Sequence, residues 1–289
     1  MKKILIYISP ERYSSIFDLI LGYDGGADVV VPYSDTSDEE IMDVVYSCVF
    51  TRGSSGRKNT AIFIGGPDVN KGEEFMNAIL AVFKELGPDY RVSVAADPHG
   101  AHTTSSSCVV KIKDSVGSLK GLNATILAGT GPVGQSISIL LAKEGCKVRI
   151  TSRKIEKARK VCGIIKNKYD VDVKPFEARD DKSIEKAVSD ADIVVSTGPE
   201  KIMLLPKKIW SRYPRIKVFA DVNAVPPYGI EGVEGSDDRK KTDGRIIIGG
   251  LSIGSLKIKV HHRVVEKLFE EKGQVLDLEK IYGIAESIK

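Results

Sequence analysis

Gly129-Thr130-Gly131-Pro132-Val133-Gly134 constrains this chain more than any other feature, because of what flanks it. Ahead of it, Ala124-Thr125-Ile126-Leu127-Ala128 reads as a buried strand; behind it, an apolar-periodic segment over 132–144 reads as a helix. Strand, glycine turn and helix at this spacing form the phosphate-cradling start of a doubly wound α/β unit. Gly129 permits the tight turn, Gly131 lets the backbone approach a pyrophosphate, and Gly134 permits close packing of helix on strand. The free N–H groups of the helix N-terminus then face the anion, and Pro132 suits the first helical turn. Thr130 and Val133 complete the loop as candidate cofactor contacts.

The next strand, 147–151, selects the cofactor. An NAD site normally ends that strand with an acid that binds the ribose 2′-hydroxyl. Here the strand runs into Thr151-Ser152-Arg153-Lys154, two cations and no carboxylate. Arg153 can fork onto a 2′-phosphate and Ser152 can donate its hydroxyl, so NADP is expected, with NAD accepted at lower efficiency. The competing reading makes Arg153 and Lys154 the solvated start of a helix containing Glu156-Lys157. Thr197 and Gly198, after a strand at 192–196, and Asn223, after one at 216–221, join the candidate cofactor contacts.

Around this motif the chain divides into an α/β protein of two domains. From 1 to 117, short apolar runs at 4–8, 44–50, 61–64 and 91–95 read as strands, with a clear amphipathic helix over 70–86 that Gly87-Pro88 stops. The small-residue connector Ser115–Gly121 places a boundary there. The second domain, 118–250, alternates strands and helices through 132–144, 154–168 and 181–189 as a Rossmann-type, NADP-binding unit, with strands at 123–128, 171–176 and 245–248. The closing segment 251–289 reads as two helices, the second N-capped by Asp277, expected to pack back on the first domain and create a cleft.

Composition excludes several classes. With 42% hydrophobic and 28% charged residues over 289 positions, the chain is neither disordered nor fibrous. Its formal charge of +4 comes from interleaved lysines and acids, and the densest basic run, Arg239-Lys240-Lys241, is flanked by Asp237, Asp238 and Asp243, so no nucleic-acid partner is expected. Cys48, Cys108, Cys146 and Cys162 form no CxxC pair, which argues for the reducing cytoplasm. The apolar start Ile4–Ile8 is too short for an export signal or a membrane span.

Motifs along nearly the whole chain carry a resemblance. They are Tyr23-Asp24-Gly25-Gly26-Ala27-Asp28, Thr51-Arg52-Gly53, Thr60–Gly66, Arg91-Val92-Ser93, Thr103-Thr104, Leu127–Gly134, Ala220–Ile230 and Ile253–Lys259. Together and in this order they resemble the NAD(P)-dependent methylenetetrahydromethanopterin dehydrogenases. The resemblance implies hydride transfer from a methylene bridge between two pterin nitrogens to C4 of the nicotinamide, leaving the methenyl cation, in one-carbon metabolism by a homo-oligomer. It also implies that Lys257 is an active-site lysine that binds the pterin carbonyl or orients the substrate. The residues agree with such chemistry: the developing cation is stabilised by flanking nitrogen lone pairs, so alignment is the main requirement. Neither a metal nor a triad is needed, and HExxH and Walker lysine motifs are missing.

Candidate substrate contacts come from loops after predicted strands. Asp97-Pro98-His99-Gly100-Ala101-His102-Thr103 follows the strand 91–95; relatives more often carry Asn where His99 and His102 stand. A plain helix-capping loop is the alternative for this group. Asp221, ending the strand 216–221, is the second candidate catalytic residue, as a countercharge to the methenyl cation; an Asx turn with Asn223 is its alternative. Tyr23, Asp24 and Arg52 are weaker substrate candidates, and the single Trp210 is assigned to core or interface. Two further functions stand beside the main reading: the corresponding methylenetetrahydrofolate dehydrogenase, and a nonenzymatic NADP-binding sensor.

Overall fold

The computed structural model describes residues 1–288. In chain order its elements are β1 (Ile4–Ile8), α1 (Ile16–Asp24), β2 (Val29–Tyr33), α2 (Asp38–Phe50), β3 (Thr60–Ile64), α3 (Val69–Leu86), β4 (Ser93–Ala96) and α4 (Ala101–Val116). There follow β5 (Asn123–Leu127), α5 (Pro132–Lys143), β6 (Lys147–Ser152), α6 (Ile155–Tyr169), β7 (Val173–Glu177), α7 (Asp181–Val188), β8 (Ile193–Ser196), α8 (Lys207–Trp210) and β9 (Val218–Asp221). The chain closes with β10 (Asp238–Thr242), β11 (Arg245–Ile248), α9 (Gly250–Leu268), β12 (Val275–Leu276) and α10 (Leu278–Ser287).

Two compact units result. One holds Met1–Thr103 and the segment from Ile258; the other holds Thr104–Lys257. The first contains a parallel sheet ordered β12-β4-β3-β1-β2, and the strand order reverses between β1 and β3. Every residue of β3 is buried, as a strand covered on both faces must be. Its neighbours pack against an apolar layer of Ile41, Val45 and Val49 from α2 and Phe75, Ile79 and Val82 from α3.

The second unit carries a seven-stranded sheet ordered β10-β11-β9-β8-β5-β6-β7, parallel except for the β10–β11 hairpin, with its reversal between β5 and β8. Ligands of open α/β sheets bind outside the carboxyl ends of strands at such a reversal. Trp210 is core here: it packs on Phe219 with ring centroids 5.1 Å apart, and its indole N–H donates to the Glu231 carbonyl.

Both sheets end in unusual strands. Pro32 sits in β2 and Pro175 in β7, β12 is two residues long, and β10 exposes Asp238, Arg239, Lys240 and Lys241.

One expectation needs correction. Residues 44–50 are the end of helix α2, not a strand: Ser37 and Glu40 form a reciprocal capping box, and Ile41, Val44, Val45, Cys48 and Val49 fall on one buried face. The two compact units divide at 103/104 and 257/258, where the sequence reading set boundaries at 117 and 251. Residues 101–116 are one continuous helix, and the connector beyond is tied to the second unit by Gly121 N–H to the Gly145 carbonyl and Lys147 N–H to the Leu122 carbonyl.

Candidate functional site

The glycine loop lies at the β5/β8 reversal, and its three glycines do different work. A Cβ at Gly129 would press on Ile126 at 2.9 Å. One at Gly134 would lie 2.5 Å from Gly129 Cα and 2.7 Å from its carbonyl oxygen, so the helix closes on the turn only because that position has no side chain. At Gly131 a Cβ meets nothing within 4 Å, so the protein itself does not demand glycine there. Gly131 caps α5 with Pro132 at its first position and no side-chain cap, leaving the helix N–H groups to an incoming anion. The loop is held by Gln135 Nε2, which donates to the Thr130 carbonyl at 2.9 Å, and by Thr197 Oγ1, which donates to the Leu127 carbonyl at 3.1 Å.

A cavity of about 880 Å³ opens beside this loop. It brings together Thr130, Gly131, Ser152, Arg153, Lys154, Thr197 and Gly198, which the sequence had placed on three separate segments. Gly129, Pro132, Val133 and Gly134 shape the loop behind it, and Asn223 does not line it. Sequence reasoning missed Lys157, one helical turn after Arg153, and the apolar walls Ala178, Ile184, Ile202 and Leu204. The spacing of Lys157 from Arg153 was a readable signal; the apolar walls come from α7 and from loops far along the chain and had none. Arg153, Lys154 and Lys157 have no carboxylate partner among the described residues.

At the carboxyl end of β9, Asp221 is fully buried and accepts from Asn223 N–H at 3.0 Å and Ile230 N–H at 2.9 Å. Burial pushes its carboxyl up to about 6, against these N–H donors and the neighbouring Gly229 N–H and Ser196 hydroxyl, which pull it down. This carboxylate holds the 222–230 loop through those N–H donors. Asn223 is itself buried, and its Nδ2 has no hydrogen-bond partner among the described residues. Lys257 is half-buried in the middle of α9.

In the first unit, Asp97 sits at the carboxyl end of β4, with its N–H on the Ile64 carbonyl. Its carboxylate accepts from His102 N–H at 2.8 Å, Thr103 N–H at 3.1 Å and the Thr103 hydroxyl at 2.5 Å, and lies 4.0 Å from His261 Nδ1. His261 stacks on Phe63 at 4.8 Å, and His102 Nδ1 donates to the Ala96 carbonyl. His99 is exposed and left-handed, φ 58°, with its N–H on the Gly66 carbonyl. Asp97, His99, His102 and Thr103 are thus together. Tyr23, Asp24 and Arg52 stand elsewhere, at the amino edge of the sheet: Arg52 Nη1 donates to the Lys2 and Asn59 carbonyls, just before β1 and β3, and α1 ends where the chain turns into β2. Arg52 thereby fastens the amino edge of the sheet, while Tyr23 is exposed and the Asp24 carboxylate lies 4.0 Å from His262 Nε2. Among the described residues no group of three or more His, Cys, Asp or Glu is placed to hold a metal ion.

A doubly wound sheet with a glycine turn at its reversal and a cationic second-strand end defines the class of Rossmann-type dinucleotide-binding proteins. A shikimate 5-dehydrogenase from Listeria monocytogenes, solved with shikimate and NAD, shares the fold with a TM-score of 0.55 at 14% identity, over 98% of this chain and 96% of that one. Residues 16–99 match the family described as methylene-tetrahydromethanopterin dehydrogenase, N-terminal. Two Methylorubrum extorquens proteins align over 99% of both chains: the bifunctional protein MdtA at 38% identity, and an NAD(P)-dependent methylenetetrahydromethanopterin dehydrogenase at 27%. The chain belongs to the NAD(P)-dependent methylenetetrahydromethanopterin dehydrogenase family.

Proposed function

We propose that this chain oxidises methylenetetrahydromethanopterin to the methenyl form with NADP as hydride acceptor, in preference to NAD. The observation that carries the cofactor reading is the cavity at the β5/β8 reversal, whose second-strand end presents Ser152 and Arg153 and no acid. A dinucleotide fits the residues present: Gly131 leaves open space where a backbone-hugging pyrophosphate belongs, and the cations beside it have no carboxylate partner among the described residues. Bound there, NADP would supply a nicotinamide able to accept a hydride at C4.

The chain's own residues then bind and orient. The α5 N-terminus and Thr130 hold the pyrophosphate, and Arg153 with Ser152 holds the 2′-phosphate. Asn223, with a buried amide nitrogen that lacks a partner among the described residues, supplies a donor for the nicotinamide half. The 104–257 unit is the dinucleotide unit, and the 1–103 unit takes the pterin through the loop of His99, His102 and Thr103, which the Asp97 carboxylate holds in shape. Lys257 orients the pterin; it needs to transfer no proton, because the carbon losing hydride is stabilised by its two nitrogens. The exposed Ile16, Ile20 and Tyr23 on α1, at helical spacing, support a homo-oligomer. A cytoplasmic site is supported by four free, buried cysteines.

Absorbance of NADPH tests this directly, with enzyme, NADP or NAD, and either methylenetetrahydromethanopterin or methylenetetrahydrofolate. Rapid reduction of NADP with the methanopterin compound is expected. Reduction only with the folate compound would overturn the substrate assignment, and silence with both would leave a binding protein. Lys257→Ala should cut turnover while leaving the NADP Kd within about twofold; unchanged turnover would remove the lysine from the mechanism.

A further inference from the structure

The first turn of α6 is built against its own electrostatics. A helix N-terminus already carries a partial positive charge, and acids are favoured there. Helix α2 obeys this rule with Asp38, Glu39 and Glu40 in its first turn. Helix α6 instead begins after Arg153 and Lys154 and carries Lys157 in its first turn, with Glu156 as the one acid. Lys154 at the cap position makes no side-chain capping bond. The arrangement is repulsive unless an anion joins it.

The cavity shows where that anion goes. Arg153, Lys154 and Lys157 all line it, whereas Glu156 does not. None of the three is ion-paired with a carboxylate among the described residues, although other lysines of the same helix are paired, as Lys166 is with Asp170 at 2.8 Å. Three cations without carboxylate partners at one end of one cavity, beside a positive helix end, match a phosphate monoester dianion and exceed what a ribose hydroxyl requires.

We infer that Lys157 is a specificity-determining residue that closes a cationic clamp with Arg153 on the 2′-phosphate of NADP. The inference rests on the NADP reading above and adds to it a residue on the helix itself. Lys157 acts as a point charge one turn along α6, whereas Arg153 supplies a planar fork, so the two tolerate different replacements. Arginine at 157 preserves the charge; glutamine keeps the length and removes it.

Binding of NADP and of NAD to the full chain, followed by fluorescence or calorimetric titration, tests this with Lys157→Gln, Lys157→Arg and Arg153→Gln. For Lys157→Gln the NADP Kd should rise about tenfold or more while the NAD Kd stays within about twofold. Lys157→Arg should stay within about threefold of the parent for both. An unchanged NADP Kd in Lys157→Gln, or an equal loss for both nucleotides, overturns the assignment of Lys157 while Arg153→Gln still weakens NADP selectively. A parent protein that binds both nucleotides equally, with Arg153→Gln also flat, overturns the 2′-phosphate reading as a whole.

Discussion

The two units expose the carboxyl ends of parallel strands in opposite chemical states. In the second, three cations and an uncapped helix end surround about 880 Å³ of open cavity without carboxylate partners. In the first, the polar groups satisfy one another: Asp97 takes two N–H groups and a hydroxyl, and the Tyr7 phenol, pushed up by burial and the Asp18 carboxylate, donates to that carboxylate at 3.1 Å. The contrast teaches how to tell a charge that waits for a ligand from one that builds the fold. A buried carboxylate surrounded by backbone donors already has a task in the fold.

The largest test of that distinction is Asp97→Ala. It strands two buried N–H groups and a hydroxyl, so urea unfolding should show a loss of about 4 kcal/mol, with Asp97→Asn costing less because one acceptor oxygen remains. A stable Asp97→Ala protein with lost turnover would break the comparison and return Asp97 to the ligand. Next is Asp221, whose native carboxyl stands at about 6 against an ordinary 3.8. The folded state therefore holds its proton more tightly, and the resulting stabilisation is complete below about pH 4 and disappears as pH rises through 6. Relative to Asp221→Asn, wild-type stability should fall by on the order of 3 kcal/mol between pH 4 and 7. A flat difference would show that its N–H donors fully offset burial.

Smaller effects separate the glycines. Gly134→Ala meets backbone that cannot yield and should destabilise the chain by about 2 kcal/mol in the same assay. Gly131→Ala meets nothing, so its unfolding midpoint should be unchanged, while its dinucleotide Kd rises roughly tenfold, about 1.4 kcal/mol. Equal stability losses at both positions would remove the argument that Gly131 exists for the ligand.

Much of the second unit was legible because local signals agree there. The strand, the glycine turn and the cations after β6 follow one another along 123–154, and the helix start at Pro132 carries its own chemistry. The first unit was harder to read. Val44-Val45-Tyr46-Ser47-Cys48-Val49 has the residue types of a strand, yet the capping box four residues upstream decides for helix; Ser37 and Glu40 were visible and outweigh the β-branched run. Strand β2 escaped notice because Pro32 interrupts it, which only an edge strand tolerates. For the site, the run Ser152-Arg153-Lys154 was legible from its neighbours, but partners of Asp221 and Arg52 are backbone groups far away in sequence, the Ile230 N–H and the Lys2 carbonyl. No local pattern encodes such partners.

The terminal strands bear on how copies of this chain can meet. Pro32 and Pro175 each remove a ladder donor, two-residue β12 offers almost no ladder, and the charged β10 would place like charges opposite one another across a twofold pairing. Fusing sheets edge to edge is therefore disfavoured at all four margins, which protects a crowded cell from runaway β-aggregation of this protein. Any pairing of two copies would then fall to side chains on helices and loops.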